Sequence, residues 1–570
     1  MRITNLEIYN FRGIRESKAS FPLDSRIVCL IGAGDSTKSS FLKAVEWAFW
    51  PTWNLIASDT DFYNGNITSP IIIRATFSEF PDIFLSEEKY GMYLRKPNTE
   101  LGGSIDDEPA DNLPFCLTIQ LSIDASLEPK WEIVCNRLEP KTISHIDRKR
   151  LFVGSIGNNV AKDLVWGKYS VLQRYADSKG ILHEVYTTAL RGVVDNADLS
   201  ALDGVSITLS DVGNRYGVDF SSSIKNRLLI QGGSFSSTVG LFDGNAPLNQ
   251  FGTGSQRLLS MGLNIGATSG DALLLIDEIE SGLEPFRIRN LIAEFRSERS
   301  SAGQIIMTTH SPVVVAECTI DELMVTHSND GITSALFLKG EDPDANEAIQ
   351  REIRYNTEAF LSKRLIVCEG RTEMGFIRAV DGYIASQKNF RMAHKGVGTA
   401  DGNGSNVFKC AKILRKSGYD ICILMDSDKE SEELEKEQMR SAGIPVFDWD
   451  KLNAFEEQCF IELPLEAIND EIQIAINEKG ADSIAARLSN NSIPFGRNGD
   501  IITLSNLTLV QRKQLGKIAK EHSWYKRIGL GEQFGTIVLN NWDTLDDQSA
   551  IKRVVTALSE WVIKDDSART

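Results

Sequence analysis

The stretch LIGAGDSTKSSFL, residues 30–42, joins a short apolar run to a turn of small residues and then to a segment with helical spacing. Against the phosphate-loop pattern G-x-x-x-x-G-K-[ST], Gly32, Lys38 and Ser39 fall into register, and Thr37 stands where a glycine normally precedes the lysine. RIVCLI at 26–31 reads as a strand and KSSFLKAVEWAF at 38–49 as a helix. A strand, a tight turn and a helix N-terminus together offer backbone N–H groups and a positive helix end to an anion. In this reading Gly32, Gly34 and Thr37 shape the loop, and Lys38 neutralises phosphate charge. Ser39 holds Mg2+, with Ser40 beside it in the first helical turn. With one position out of register, an ordinary strand–helix turn stays open as the alternative, and the rest of the chain has to decide.

Downstream chemistry favours the nucleotide reading. LLLIDEIESGLEP, 273–285, is an apolar strand ending in Asp277 and Glu278. Successive strand residues face opposite ways, so a strand end can aim two adjacent acids differently. Asp277 suits Mg2+, and Glu278 suits orienting and deprotonating an attacking water. Earlier, FGTGSQRLLSMGL at 251–263 opens a helix on a glycine-rich turn, with Gly254 and Ser255 at its mouth, a second anion-binding geometry. His310 follows another apolar strand in TTHSP, 308–312, where it can contact a γ-phosphate.

Taken in order and spacing, FRGI at 11–14, the loop at 32–39, GTGSQ, LLLIDEIESGLEP and TTHSP resemble an ABC-type ATPase of the RecF/SMC group over about 345 residues. The resemblance implies that two heads sandwich ATP, with Ser255 acting across the interface and Glu278 as catalytic base. Relative to that group's G-x-x-G-x-G-K, both later glycines are changed, to Asp35 and Thr37. A Cβ at 37 is expected to intrude on the space phosphate needs, and Asp35 adds negative charge beside an anion. Because the distant parts of the site are all present, the expectation is a modified but occupied site. ATP binds, hydrolysis is slow, and binding serves as a switch.

Composition narrows the class. At 570 residues the chain is too long for one ordinary core, and two to four domains are expected. The start, MRITNLEIYNFRGIRESK, carries charge throughout, and no run approaches the roughly 18–20 apolar residues of a membrane span. Eight scattered cysteines without a C-x-x-C pair argue against zinc and disulfides and fit a reducing cytoplasm. The net charge of −17 argues against a general nucleic-acid coat protein. Residues 361–570 carry 28 Lys and Arg against 31 Asp and Glu, so nearly all of the excess falls on the first 360. Contact with DNA is therefore expected from local basic patches, more in the C-terminal part.

A second constellation lies there. RLIVCEGRTEMGFI, 364–377, places Glu369 at the end of an apolar strand, a turn at Gly370, and Glu373 in the first turn of a helix. ILMDSDKE, 423–430, ends another apolar strand with Asp426 and Asp428, which share a face at a spacing of two. If the strands are neighbours, four carboxylates converge where open α/β sheets place their sites. Such a cluster repels itself without cations, and hard oxygen ligands favour Mg2+ or Mn2+. Either acid pair alone is ordinary surface charge; both together, each closing an apolar strand, point to metal-assisted phosphodiester cleavage.

E-G-x-x-E followed by D-x-D resembles the Toprim domain of topoisomerases, primases and some nucleases. An ABC ATPase followed by Toprim resembles the OLD (overcoming lysogenization defect) family of ATP-dependent endonucleases. That resemblance implies a further acidic motif, offered here by Glu456 and Glu457 in WDKLNAFEEQCF, 449–460. It also implies a late lysine that stabilises charge on the scissile phosphate, offered by Lys526 in HSWYKRI, 522–528. Metal ligands are then Glu369, Glu373, Asp426, Asp428 and Glu457, besides Ser39 and Asp277 for the nucleotide's Mg2+. HKGVGTADGNGSN, 394–406, is expected to be a glycine-rich loop beside the metals, with Lys395 near DNA.

The expected architecture is α/β, an ABC-type head followed by a C-terminal Toprim domain. The divisions are 1–155 with the P-loop, 156–245 as a helical or dimerising insertion, 246–345 with the signature turn and acids, 346–362 as a linker helix, and 363–570 as Toprim with an extension. The expected function is a Mg2+-dependent DNA endonuclease regulated by ATP in a homodimer. The resemblance further implies anti-phage defence beside a retron reverse transcriptase with its msDNA, or beside a helicase. An RNA or tRNA nuclease and an ATP-gated DNA sensor without cleavage are the competing readings. A topoisomerase would need a nucleophilic tyrosine in a second DNA-gate module, and no region offers one.

Overall fold

In the computed structural model the described residues are 1–97, 105–108, 113–151, 153–157, 164–166, 172, 202–229, 238–267, 272–298, 303–340 and 342–564. Much of the expected insertion at 156–245 lies outside them. The chain forms two compact units, Met1–Thr357 and Glu358–Thr570.

The first unit is organised by a 12-stranded mixed sheet. Its strands are β1 (Arg2–Phe11), β2 (Ile14–Ser20), β3 (Ile27–Ile31), β4 (Ile71–Ser78), β5 (Cys116–Ile123), β6 (Pro129–Val134), β7 (Lys141–Thr142) and β8 (Val153–Ile156). After a small separate sheet of β9 (Ile224–Leu229), β10 (Thr238–Asp243) and β11 (Ala246–Pro247), it is completed by β12 (Leu273–Ile276), β13 (Gln304–Thr308), β14 (Leu323–Asn329) and β15 (Ile332–Phe337). The order is β7-β6-β5-β4-β1-β2-β15-β14-β3-β13-β12-β8. One wing, β1 with β2 and β4 to β7, is antiparallel, whereas β14, β3, β13, β12 and β8 run parallel.

Sequence pattern explains the difference. IVCLI, LLLI and QIIMT are buried at every position, as parallel strands covered on both faces must be. β1 instead alternates buried and half-buried positions, the mark of one covered face. The parallel strands bring the ends of β3, β12 and β13 side by side, which places the loop at 32–37, Asp277 and Thr308 together. Helix Pro343–Tyr355, read from sequence as part of a linker, belongs to the first unit and buries Ala348, Ile349 and Ile353.

The second unit carries a four-stranded parallel sheet, β16 (Arg364–Cys368), β17 (Val397–Asp401), β18 (Asp420–Met425) and β19 (Val446–Asp448), in the order β17-β16-β18-β19. β16 lies between β17 and β18 along its whole length, with Cys368 opposite Asp401 and Leu424. Glu369 and Asp426 therefore leave the same edge of the sheet. Helix Arg371–Lys388 follows β16 and packs tightly on helix Ile528–Asn540. Gly375 and Gly531 permit that approach, since a Cβ on either would meet backbone of the other helix at 2.2–2.4 Å.

Candidate functional site

In the first unit the loop at 32–37 enters the left-handed backbone region at two non-glycine positions. Asp35 and Thr37, where the ABC-type pattern has glycine, have φ of 60° and 65°. Helix Lys38–Ala48 starts immediately afterwards, and no side chain caps it, so its first amides remain available to an anion. The Thr37 side chain does not fill the loop as expected. Its hydroxyl donates to the carbonyl of Ser36 and bonds Thr333 Oγ1 at 2.9 Å. Its methyl faces Gly13, where a Cβ would stand 3.1 Å away. Asp35 is exposed.

Lys38 is buried, and its ammonium donates to the carbonyls of Gly32 and Ala33 and to Ser36 Oγ at 2.7–3.0 Å. Burial draws it down to about 8, against the opposing pull of Glu280, Asp35 and Asp277. Ser39 Oγ and Thr308 Oγ1 both donate to Asp277 Oδ1, at 3.0 and 2.6 Å. The serine and the aspartate that would share Mg2+ are thus already adjacent.

Glu278 sits at φ 48°, its amide held by Thr308 Oγ1 and its carbonyl by Arg257. His310 is exposed, and its amide donates to Glu280, which also accepts from Thr309 Oγ1. Ser255 lies in the first turn of helix Thr253–Ala267, within 3.5 Å of Arg287. Gly254 passes so close to Gly282 that a Cβ would meet its carbonyl oxygen at 2.2 Å. Arg257, Glu280 and Thr308 lie inside FGTGSQRLLSMGL, LLLIDEIESGLEP and TTHSP, but the residue pattern alone assigns them no role.

The second unit gathers the acids tightly. Glu369 Oε2 accepts the amide of Asp426 at 2.9 Å. Asp426 Oδ1 accepts the amide of Phe455, which opens the helix Phe455–Glu462 carrying Glu456 and Glu457. Glu373 is buried in the first turn of helix Arg371–Lys388. Burial, and then charge on neighbouring acids, holds Glu369 and Glu373 above the ordinary carboxylate range. Burial also raises Asp426 in spite of Lys520, lifts Glu457, and pushes Glu456 to about 8, with the charge of Asp426 adding to the effect on Glu456.

One lysine answers this charge, and it is not Lys526. Lys520 Nζ stands 2.6 Å from both Asp426 Oδ2 and Asp428 Oδ2. Burial would lower its pKa, but the two aspartates more than offset that and hold it well above the ordinary lysine value. Lys526 is exposed because its neighbours Trp524 and Tyr525 turn inward, Tyr525 donating to the carbonyl of Glu471. The signal for Lys520 was present as helical spacing. Lys513, Gly516 and Lys520 share a face of helix Leu509–Glu521, and Gly516 lies against Glu457 while Lys513 comes within 3.9 Å of it.

A second lysine holds the D-x-D turn from behind. Lys436, whose side chain is 0% exposed, donates to the carbonyl of Asp426, to Ser427 Oγ and to Asp448 Oδ2 at 2.8–3.1 Å. The glycine loop splits in two. Gly402 and Gly404 donate to the carbonyls of Cys368 and Glu369, so this half does lie beside the acids. Lys395 precedes β17 and therefore lies at the opposite end of the strand from Asp401 and Glu369, away from the cluster.

The donor set fits a hard cation. Asp428 Oδ1 is buried and has no hydrogen-bond partner among the described residues, and Glu369 and Asp426 supply carboxylate oxygens beside it. Among the described residues no three acid, histidine or cysteine side chains form a ready-made cage; here Lys520 stands in the cationic position between Asp426 and Asp428.

Residues 170–316 match the family described as "AAA domain, putative AbiEii toxin, Type IV TA system". Residues 360–428 match "Overcoming lysogenization defect protein-like, TOPRIM domain". No curated protein matches significantly. Among solved structures, the Smc head bound to the C-winged helix domain of ScpA is 14% identical, covering 59% of this chain and 97% of its own, at a TM-score of 0.39. The Smc head domain with an extended coiled coil from Pyrococcus furiosus is 13% identical, covering 59% and 95%, at 0.36. The head domain from Thermotoga maritima is 12% identical, covering 60% and 100%, at 0.30. No helix among the described residues is long and apolar enough to cross a membrane.

Proposed function

We propose that this chain, an ATPase domain followed by an OLD-like Toprim domain, is a Mg2+-dependent DNA endonuclease governed by ATP in a dimer of its ATPase heads. The observation that carries the reading is the meeting at one sheet edge of Glu369, which accepts the amide of Asp426, with Asp426 and Asp428, which share the ammonium of Lys520. Surface acids do not gather in a buried pocket with a shared lysine unless something there repays the desolvation.

Glu369, Glu373, Asp426, Asp428 and Glu457 would hold Mg2+ or Mn2+, which would supply an activated water and charge for the leaving oxygen. Burial, and then the charge of Asp426, pushes Glu456 up to about 8 in the metal-free cluster. Lys520, already directed at two carboxylate oxygens, is placed to donate to an oxygen of the scissile phosphate instead. In the first unit Lys38, Ser39, Ser40 and Asp277 would hold ATP and its Mg2+, with Glu278 and His310 at the γ-phosphate and Ser255 supplied by a second head. Turnover is slow in this reading, and occupancy acts as the switch. The cytoplasmic anti-phage role, beside a retron reverse transcriptase with msDNA or a helicase, rests on the family resemblance alone.

Incubation with supercoiled plasmid and Mg2+ tests the proposal. Nicking or linearisation by the wild type that is lost in Glu369→Ala and Asp426→Ala supports it. An intact plasmid beside cleaved tRNA would move the substrate to RNA. Plasmid binding without cleavage by the wild type would leave only the sensor reading.

A further inference from the structure

The helix that leaves the glycine turn beside Glu369 is basic along its whole exposed side. Val407–Lys416 (VFKCAKILRK) buries Val407, Phe408, Cys410, Ala411 and Leu414, and exposes Lys409, Lys412, Arg415 and Lys416. Positions 409, 412 and 416 are three and four apart, so these lysines form one stripe. The helix contains no acid, in a chain whose net charge is −17. None of the three lysines forms an ion pair among the described residues, so their charge is not spent within the chain.

Topology sets where the stripe points. Gly404, which opens the turn into this helix, donates its amide to the carbonyl of Glu369 at 2.7 Å. The first lysine therefore lies roughly 10 Å from the acid cluster by helical rise. The connections β17 to β18 and β18 to β19 step the same way across the sheet, and β16 to β17 steps the other way. Right-handed crossovers then put this helix and helix Glu433–Ser441 on one face. The latter is acidic on its outer side, with Glu435 and Glu437 exposed. Charge thus changes sign across the face, from the lysines of the one helix to the glutamates of the other.

We propose that the Lys409–Lys412–Lys416 stripe is the surface along which the phosphate backbone of duplex DNA lies as it enters the carboxylate site. The inference rests on the nuclease reading for the identity of the polymer. The lengths agree: Lys409 to Lys416 spans about 10 Å of helix axis, and about 10 Å of duplex axis carries about three phosphates of one strand.

The test uses the full chain carrying Asp426→Asn, so that bound DNA is not cut, with K409Q/K412Q/K416Q as the probe variant. DNA affinity is measured against salt concentration. Loss of three phosphate contacts flattens the slope of log K on log salt by about 2.7, with the melting temperature and ATP turnover unchanged. Neutralising three exposed lysines of the first unit, Lys18, Lys130 and Lys339, serves as the control and leaves the slope in place. An unchanged slope in the probe variant overturns the stripe, and so does an equal change in the control. Failure of the nuclease reading looks different: DNA is bound with the expected slope change, but chains with an intact Asp426 leave plasmid whole. A wild type that binds no DNA overturns both.

Discussion

Replacing Lys520 with methionine keeps an unbranched side chain of similar length and removes only the cation. In the wild type that cation stands 2.6 Å from Asp426, whose side chain is 5% exposed, and equally close to Asp428. The other nearby cations are already committed: Lys429, 3.8 Å from Glu369, is paired with Glu432, and Lys436 is bound to the carbonyl of Asp426, Ser427 and Asp448. Removing one partner of a fully buried pair costs about 3–5 kcal/mol. A third of the Lys520 side chain is exposed, so solvent screening reduces the expected cost to about 2 kcal/mol. For a unit the size of Glu358–Thr570 that is roughly 4–8 °C in melting temperature. The gap should depend on metal. In EDTA the variant melts below the wild type. Saturating Mn2+ replaces the missing charge and stabilises the variant more than the wild type, closing most of the difference, while plasmid cleavage stays absent. Lowering the pH should close the gap as well, because burial holds Asp426 and Glu369 above the ordinary carboxylate range and they take up protons early. Calorimetry on both proteins, with and without Mn2+, decides. Equal stability in EDTA, or a gap that metal leaves untouched, would refute the assignment of Lys520 as the charge that balances the site.

Lys436→Met should cost about 3 kcal/mol, since its ammonium is wholly buried on the carbonyl of Asp426, Ser427 and Asp448. It should also weaken Mn2+ binding; wild-type affinity in a calorimetric titration would show that the turn does not need it. In EDTA the second unit should lose stability as pH rises. Glu369, Glu373, Asp426 and Glu456 bind protons more tightly folded than unfolded, so stability present below about pH 4 is lost on the way to the folded values, about 8 for Glu456. Mn2+ should flatten the profile, and a flat profile in EDTA would contradict the raised values. Gly13→Ala should destabilise the first unit by about 1 kcal/mol by pressing on the Thr37 methyl. Adding Thr37→Gly should recover most of the loss, whereas strictly additive melting shifts would mean the two residues do not compete for space.

What was legible in the sequence was whatever a strand end dictates. Glu369, Asp426 and Asp277 each follow a run buried at every position, and a parallel sheet brings such ends together whatever else the chain does. Lys520 and Lys436 were not legible in this way. Lys520 acts through helix packing across 92 to 94 residues and Lys436 on a turn seen from behind, and local composition does not distinguish either from a surface lysine. Lys526 is the late lysine that the resemblance offers in HSWYKRI, yet burial of its neighbours Trp524 and Tyr525 turns it outward. Lys395 was misplaced for a related reason. A glycine-rich run looked like one loop, but β17 passes through it and separates its two ends by the length of a strand.

The phosphate loop shows why a missing glycine is weaker evidence than a missing shape. Glycine is favoured at such positions because the left-handed region costs other residues roughly 1–2 kcal/mol. Asp35 and Thr37 occupy that region all the same, at 60° and 65°. Aspartate tolerates it better than most; a β-branched threonine does not, and needs neighbours that hold it there. Those neighbours are Ser36, through its carbonyl, Thr333, through its hydroxyl, and Gly13, through the space it leaves. Two of the three lie far from the loop in sequence, on strands or turns packed beside it. A motif search reads residue 37 alone and reports a fault. The fold reads residues 13, 37 and 333 as one unit, and it holds residue 37 in the left-handed region that glycine adopts freely. In the proposed ATP site the substitution would restrain any change of loop shape, since a threonine anchored on two sides moves less freely than a glycine. This is the physical basis for expecting an ATP site that binds and turns over slowly.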